Sequence, residues 1–208
     1  MSRFHNPAPE PPVTYAVGEG IAWITLNRPA MLNALNTELA AALAEHAEAA
    51  AADPAVTLVV VRGAGRAFCS GMDRTALAAG SVDEAFYRHW IRGLNCLEDM
   101  PKISIAVLHG YAIGGGLQLA LACDLRLAAA DLDRTLRSVI DKVRAASPTA
   151  AAHTKRLLHE SFHRDPRVVI EDLVRAQNAC MGSWEIDEAN RAWTEKREAV
   201  FYPPPQQP

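Results

Sequence analysis

One α/β domain, with a mostly parallel sheet followed by a run of helices, is the fold class this 208-residue sequence predicts. Three observations carry the expectation. Short apolar strand-like runs alternate with helical periodicities as far as Asp131, a pattern that implies parallel strands joined by right-handed crossovers. From Leu132 to about Trp193 the pattern is helical, broken at Ser147-Pro148 and Asp165-Pro166. The length supports one substantial core and is short for two. The expected organisation is a flexible Pro-rich tail over 1–12, a β/α core over 13–131, a helical region over 132–202 and a second Pro-rich tail over 203–208.

Taken in order, Val13–Val17 and Ile21–Asn27 are β-rich runs separated by Gly18-Glu19-Gly20, a hairpin signal. Arg28-Pro29 ends the second strand. Asn36 or Thr37 caps a helix with Leu39, Leu43 and Ala47 on one face, and Asp53-Pro54 stops it. Leu58–Val61 is a short continuous apolar run, as in a strand covered on both faces, and Gly63-Ala64-Gly65 breaks it. Arg66–Asp73 follows as a loop, and Asp83 to about Leu97 is helical, with Phe86, Trp90 and Leu94 four apart. Ile103–Leu108 is a further buried strand, Leu117–Cys123 an apolar helix entered through Gly114-Gly115-Gly116, and Leu125–Ala128 the last strand.

Composition excludes several classes. Half the residues are hydrophobic and 22% charged, as in an ordinary globular protein. A net charge of −3 with no Lys/Arg stripe gives no nucleic-acid footprint. Cys69, Cys96, Cys123 and Cys180 are scattered and form no CxxC pair, so reduced thiols are expected. The N-terminal MSRFHNPAPEPP lacks the apolar core of a signal peptide, and no apolar run approaches the ~20 residues of a membrane span. A cytoplasmic location without membrane association is the expectation.

The sharpest chemical feature is a pair of loops that each follow a buried strand: Phe68–Asp73, and His109–Leu117 with its three adjacent glycines. Glycines at a helix start leave backbone N–H groups bare at the positive end of the helix dipole, which suits an anion or a developing oxyanion. The alternative is a tight strand-to-helix turn packed on the sheet. A P-loop is excluded because Gly116-Leu117 stands where Lys-Ser/Thr is required, and no GxGxxG occurs.

Five segments, in this order, resemble the enoyl-CoA hydratase/isomerase (crotonase) family. They are Leu26–Pro29 with Leu32–Leu35; Ala67–Asp73; Gly110–Gly116 followed by Leu119-Ala120 and Cys123-Asp124; Ser147-Pro148 opening a helix; and Ala192–Arg197. The resemblance implies a crotonase-like β-β-α spiral core, shortened here, with a C-terminal helical region. It places the two amides that bind a thioester oxygen at Met72 and Gly115, with Ser70, Asp73 and Gly114 beside them in contact with substrate. It assigns Trp193 and Lys196 to the nucleotide end of coenzyme A, often met from a neighbouring subunit; apart from the family they are one face of an amphipathic helix. Coenzyme A then arrives as part of the substrate, with no separate cofactor and no metal, and a trimer-based homo-oligomer is implied.

The chain also departs from that family. Many relatives carry a basic residue where this chain has Ala30. The first of the two hydratase glutamates is replaced by Gln118, and an amide can orient water but cannot take its proton. The Pro-Glu segment that carries the second is absent, and roughly 60–70 residues expected after Asp131 are missing. Ala129-Ala130-Asp131 matches either side of such a break, as in an internal deletion. Asp73 is the best remaining acid; Asp124 and Asp131 read as helix-end or turn residues, Asp133 lies at the junction, and His109 as a structural histidine. A non-catalytic CoA-binding or oligomer-partner remnant is therefore the rival reading. A separate motif, His159-Glu160-Ser161-Phe162-His163, spells the HExxH of zinc metalloproteases, but no third-ligand extension follows and Asp165-Pro166 ends the helix.

Overall fold

The computed structural model describes residues 10–161 and 164–202. The hairpin forms as its turn residues dictate. Strands β1 (Val13–Gly18) and β2 (Ile21–Leu26) pair antiparallel, and Glu19 and Gly20 both adopt positive φ, 52° and 75°. That geometry matches the twist of the strands it joins. Strands β3 (Leu58–Gly63), β4 (Ile103–Val107) and β5 (Leu125–Leu127) add in sequence order, each parallel to the one before. Pro11 and Pro12, at the edge of the expected N-terminal tail, are held along β2 by Asn27, whose backbone N–H donates to Pro12 O at 2.7 Å. The other residues of both Pro-rich ends, save Glu10, lie outside the described residues.

Helix boundaries follow local capping. Asn36 Oδ1 accepts from Leu39 N–H at 3.0 Å and opens α1 (Thr37–Ala52). A five-residue helix, α2 (Arg74–Ala78), lies between the loop that ends at Asp73 and the helix expected from Asp83, and Asp73 caps it. Asp83 Oδ1 accepts from Phe86 N–H at 3.1 Å and opens α3 (Glu84–Asp99). The apolar helix α4 (Gly115–Ala122) starts two residues earlier than the apolar pattern alone predicts, because the glycines themselves supply its first turn.

The sheet is covered on both faces, and β3 shows why its run is continuously apolar. Val59 and Val61 pack with Leu39, Leu43, Phe86, Trp90 and Leu97 of α1 and α3. Leu58 and Val60 point the other way, onto Leu136 and Ile140 of α5 (Leu132–Arg144). Burying two such side chains contributes about 1.5–3 kcal/mol each. Asp131, expected as a turn residue, caps α5 through Arg134 N–H. The helix that directly follows β5 thus closes the second face of the sheet.

Three further helices, α6 (Pro148–Ser161), α7 (Pro166–Met181) and α8 (Trp184–Glu195), complete the chain. The last two are separated at Gly182-Ser183, within a stretch whose pattern predicts continuous helix. Buried Glu185 accepts from the Ser147 hydroxyl and from the Thr149 hydroxyl and amide, tying α8 to the start of α6. Lys155 of α6 donates to Asp124 at 3.0 Å and to Leu97 O at 2.8 Å. Glu188 is gripped by Arg197, by the Val200 amide and by Arg191, and its carboxyl is held down at about 2, chiefly by the Arg197 bond. Edge strand β5 spans three residues, and Tyr111, Ile113, Leu117, Leu121 and Leu125 around α4 and β5 are exposed. Among the described residues no helix is long and apolar enough to cross a membrane.

Candidate functional site

The two glycine-bearing bends are one structure. Beyond the ends of β3 and β4 their backbones continue to pair: Phe68 N–H donates to His109 O at 2.8 Å, Cys69 N–H to Tyr111 O at 2.9 Å, and Ile113 N–H to Cys69 O at 3.1 Å. This makes a parallel bridge between Cys69 and Ala112, and Met72 and Gly115 each lie three residues beyond it. On its other flank the 69–73 segment is bound to residues 32–35. Ser70 N–H donates to Leu32 O at 3.0 Å, Leu35 N–H to Gly71 O at 2.8 Å, and Asp73 N–H to Leu35 O at 2.9 Å. Because the groups on either side of Met72 bond Leu35, the N–H of Met72 itself is turned away from Leu35.

The triple glycine has two jobs. Gly114 takes φ 55°, ψ −118°, a conformation that L side chains rarely adopt, and a Cβ on Gly116 would collide with the Cys69 carbonyl and Cβ. Those two glycines serve the packed-turn reading. Gly116 N–H is already bonded to Ile113 O at 2.9 Å. Among the described residues, however, neither Met72 N–H nor Gly115 N–H donates to a protein acceptor. Two unspent amides, one from each bend, therefore remain among the described residues.

Asn33, fully buried at φ 56°, holds the first bend in place. It donates to Ala64 O at 2.9 Å and Ala67 O at 2.8 Å and accepts from Arg28 N–H at 2.9 Å. Arg28 in turn reaches Asp73 at 2.9 Å. Asp73 also accepts from Thr75 and Ala76 amides at 2.9 and 3.3 Å. Burial alone raises its carboxyl, but the Arg28 bond, those two amides and the Arg28 charge outweigh it and hold the group below the usual carboxylate range. The acid expected to be available beside the amides is thus an ionised cap, committed to Arg28 and α2, and not a proton donor.

Gln118 lies one turn along α4 from Gly115, exposed, and its Oε1 accepts from the indole N–H of buried Trp90 at 3.1 Å. The same ring reaches within 3.5 Å of where a Gly115 Cβ would be. Trp90 is the site residue the sequence reading used only as core. The available signal was that a buried indole N–H seeks an acceptor. Ser70 is half-buried, with its hydroxyl 3.5 Å from Met31 O. Trp193 is 87% exposed, and Lys196, at φ 54°, ends α8; neither side chain bonds to the two bends.

The other candidates have structural partners. Asp124 Oδ2 accepts from the Ser104 amide and hydroxyl and from Lys155. The His109 ring is 3.0 Å from Gly65 O. In the HExxH stretch Glu160 is held by Arg156 at 3.0 Å and by Arg164, which leaves no free carboxylate to activate water, while His163 lies outside the described residues. Among the described residues no group of three metal-ligating side chains converges.

Comparison with known proteins gives the family and the fold. The family model for enoyl-CoA hydratase/isomerase matches residues 16–131, and the chain belongs to that family. A probable enoyl-CoA hydratase of Mycobacterium tuberculosis is 42% identical over 119 residues, which are 56% of this chain and 46% of that protein. The (E)-benzylidenesuccinyl-CoA hydratase of Thauera aromatica is 40% identical over 121 residues, with the same two shares. In each case the matched stretch spans about half the relative's length. A crystal structure of an enoyl-CoA hydratase from Mycobacterium smegmatis superposes with a TM-score of 0.82 over 93% of this chain and 100% of that one, at 23% identity. The fold is crotonase-like, and the structural likeness runs on through the C-terminal helices where the sequence matches stop.

Proposed function

We propose that the protein binds an acyl-CoA thioester across the two bends, with the Met72 and Gly115 amides donating to the thioester oxygen and stabilising an enolate. The observation that carries this reading is the pair of unspent N–H groups at equal distance beyond the Cys69–Ala112 bridge. A carbanion beside a thioester is accessible only if its oxygen is stabilised, and donors fixed in advance do this without reorganisation. Coenzyme A enters as part of the substrate, so the reading calls for no metal and no further cofactor. Trp193 and Lys196, exposed at the end of α8, are then free to meet its nucleotide end, in a trimer-based assembly from a neighbouring copy.

Hydration by two carboxylates does not fit Gln118 and a committed Asp73. Reactions that ask less of acid–base groups fit better. In a decarboxylation the electron pair of the breaking carbon–carbon bond passes into the thioester enolate, carbon dioxide leaves, and water returns a proton to carbon. A slow isomerisation is the other option. A second reading, binding without turnover, is favoured by Gln118 and by the uncovered apolar side chains around α4 and β5.

Incubation with crotonyl-CoA, following loss of the enoyl absorbance alongside calorimetric titration, tests the proposal. Saturable binding is expected, with hydration at least about 100-fold slower than a Gln118→Glu variant allows if the second acid is supplied by water alone. Binding with no turnover of any thioester favours the second reading, and absence of binding to every CoA thioester overturns both.

A further inference from the structure

The Trp90–Gln118 hydrogen bond says which end of the Gln118 amide the site presents. An indole N–H can only donate, so the atom 3.1 Å from Trp90 Nε1 must be the amide oxygen, whatever the rotamer of the rest of the chain. The NH2 end therefore points away from Trp90. Among the described residues it has no acceptor, and Gln118 is exposed while Trp90 is 4% exposed. Trp90 is itself fixed, stacked on Phe86 with ring centroids 6.2 Å apart and packed in the core beneath α1. Its ring spans from the place a Gly115 Cβ would take to the Gln118 head group, so Gln118 and Gly115 share one side of α4, one turn apart.

We infer that Gln118 is a specificity-determining donor, positioned by Trp90, that selects acyl-CoA thioesters carrying an oxygen acceptor close to the thioester carbonyl, carboxylated acyl groups above all. The inference rests on the proposed thioester site and names the substrate class of that site. A carboxylate at this position in the chain would repel such a group, and an unlocked amide would offer oxygen or nitrogen indifferently. The Trp90 bond removes the choice. Asp73, the acid of the first bend, is consumed by Arg28 and the amides of α2.

Titration of the full chain with three probes of similar size tests this: butyryl-CoA with no acceptor, acetoacetyl-CoA with a ketone, and malonyl-CoA with a carboxylate. A bond from a neutral donor to a charged acceptor is worth more than one to a neutral acceptor. Malonyl-CoA should bind about tenfold tighter than butyryl-CoA and acetoacetyl-CoA about threefold tighter. Gln118→Leu should bring the three to parity, and Gln118→Glu should place malonyl-CoA last. Trp90→Phe, which keeps an aromatic ring but loses the indole N–H, should shrink the malonyl preference by about threefold. Equal binding of all three probes to the unaltered chain, or a preference that survives Gln118→Leu, overturns the inference and leaves the thioester site standing. Failure of every probe to bind overturns the thioester site, and the inference with it.

Discussion

Gly115→Pro is expected to lose at least about 100-fold in turnover relative to Gly115→Ala, the cost of one oxyanion donor. The pair of variants separates loss of the amide from addition of a Cβ at the position. Both add a Cβ, and in both that atom meets the end of the Leu35 side chain, so the alanine variant controls for that contact, while proline also brings its ring carbons. Only proline removes the N–H. Position 115 is the first residue of α4 and its φ is not in the left-handed region, and the first helical position is where proline is best tolerated. Steady-state kinetics with whichever thioester is turned over, read beside thermal melts of the two variants, checks this. Equal activity in both variants would mean that the Gly115 amide has no part in the chemistry.

Asn33→Ala is expected to destabilise the fold by about 3–5 kcal/mol, a large fraction of a typical domain's stability. Three backbone groups, Ala64 O, Ala67 O and Arg28 N–H, lose their partner in a fully buried place, and alanine pays an added ~1–2 kcal/mol for the left-handed conformation that asparagine accepts more readily. Asn33→Gly separates the two effects, since glycine adopts φ 56° at no steric cost. Urea unfolding should rank unaltered protein above Asn33→Gly and Asn33→Gly above Asn33→Ala. A midpoint for Asn33→Ala within error of the unaltered protein would remove Asn33 as the brace of the first bend.

These two residues mark what the sequence alone could convey. The hairpin, the buried strands and the cap at Asn36 are local matters of periodicity and turn chemistry, and they are where the residues indicate. The glycine-bearing bends were legible because glycines beside a helix start have few employments, and the order of five weak segments supplied the family. The Asn33 brace was not legible: its partners lie more than thirty residues away at Ala64 and Ala67, and no local pattern announces a side chain that bonds a distant carbonyl. Asp73 was misjudged for the same reason. Its spacing to Thr75 and Ala76 signals a cap, but the Arg28 bond that consumes its second oxygen spans 45 positions. Trp90 was correctly assigned to the core, while the polar edge of its ring, which decides what Gln118 presents, depends on how α3 crosses α4.

The account turns on hydrogen bonds from Met72 and Gly115 to a thioester oxygen, and isotope-edited infrared spectroscopy reads them directly. With butyryl-CoA labelled with carbon-13 at the thioester carbonyl, the C=O stretch should move to lower frequency on binding, because two donors draw charge onto the oxygen, and Gly115→Pro should return much of that shift while Gly115→Ala keeps it. A bound carbonyl that absorbs at its frequency in apolar solvent, unchanged by Gly115→Pro, would contradict the account.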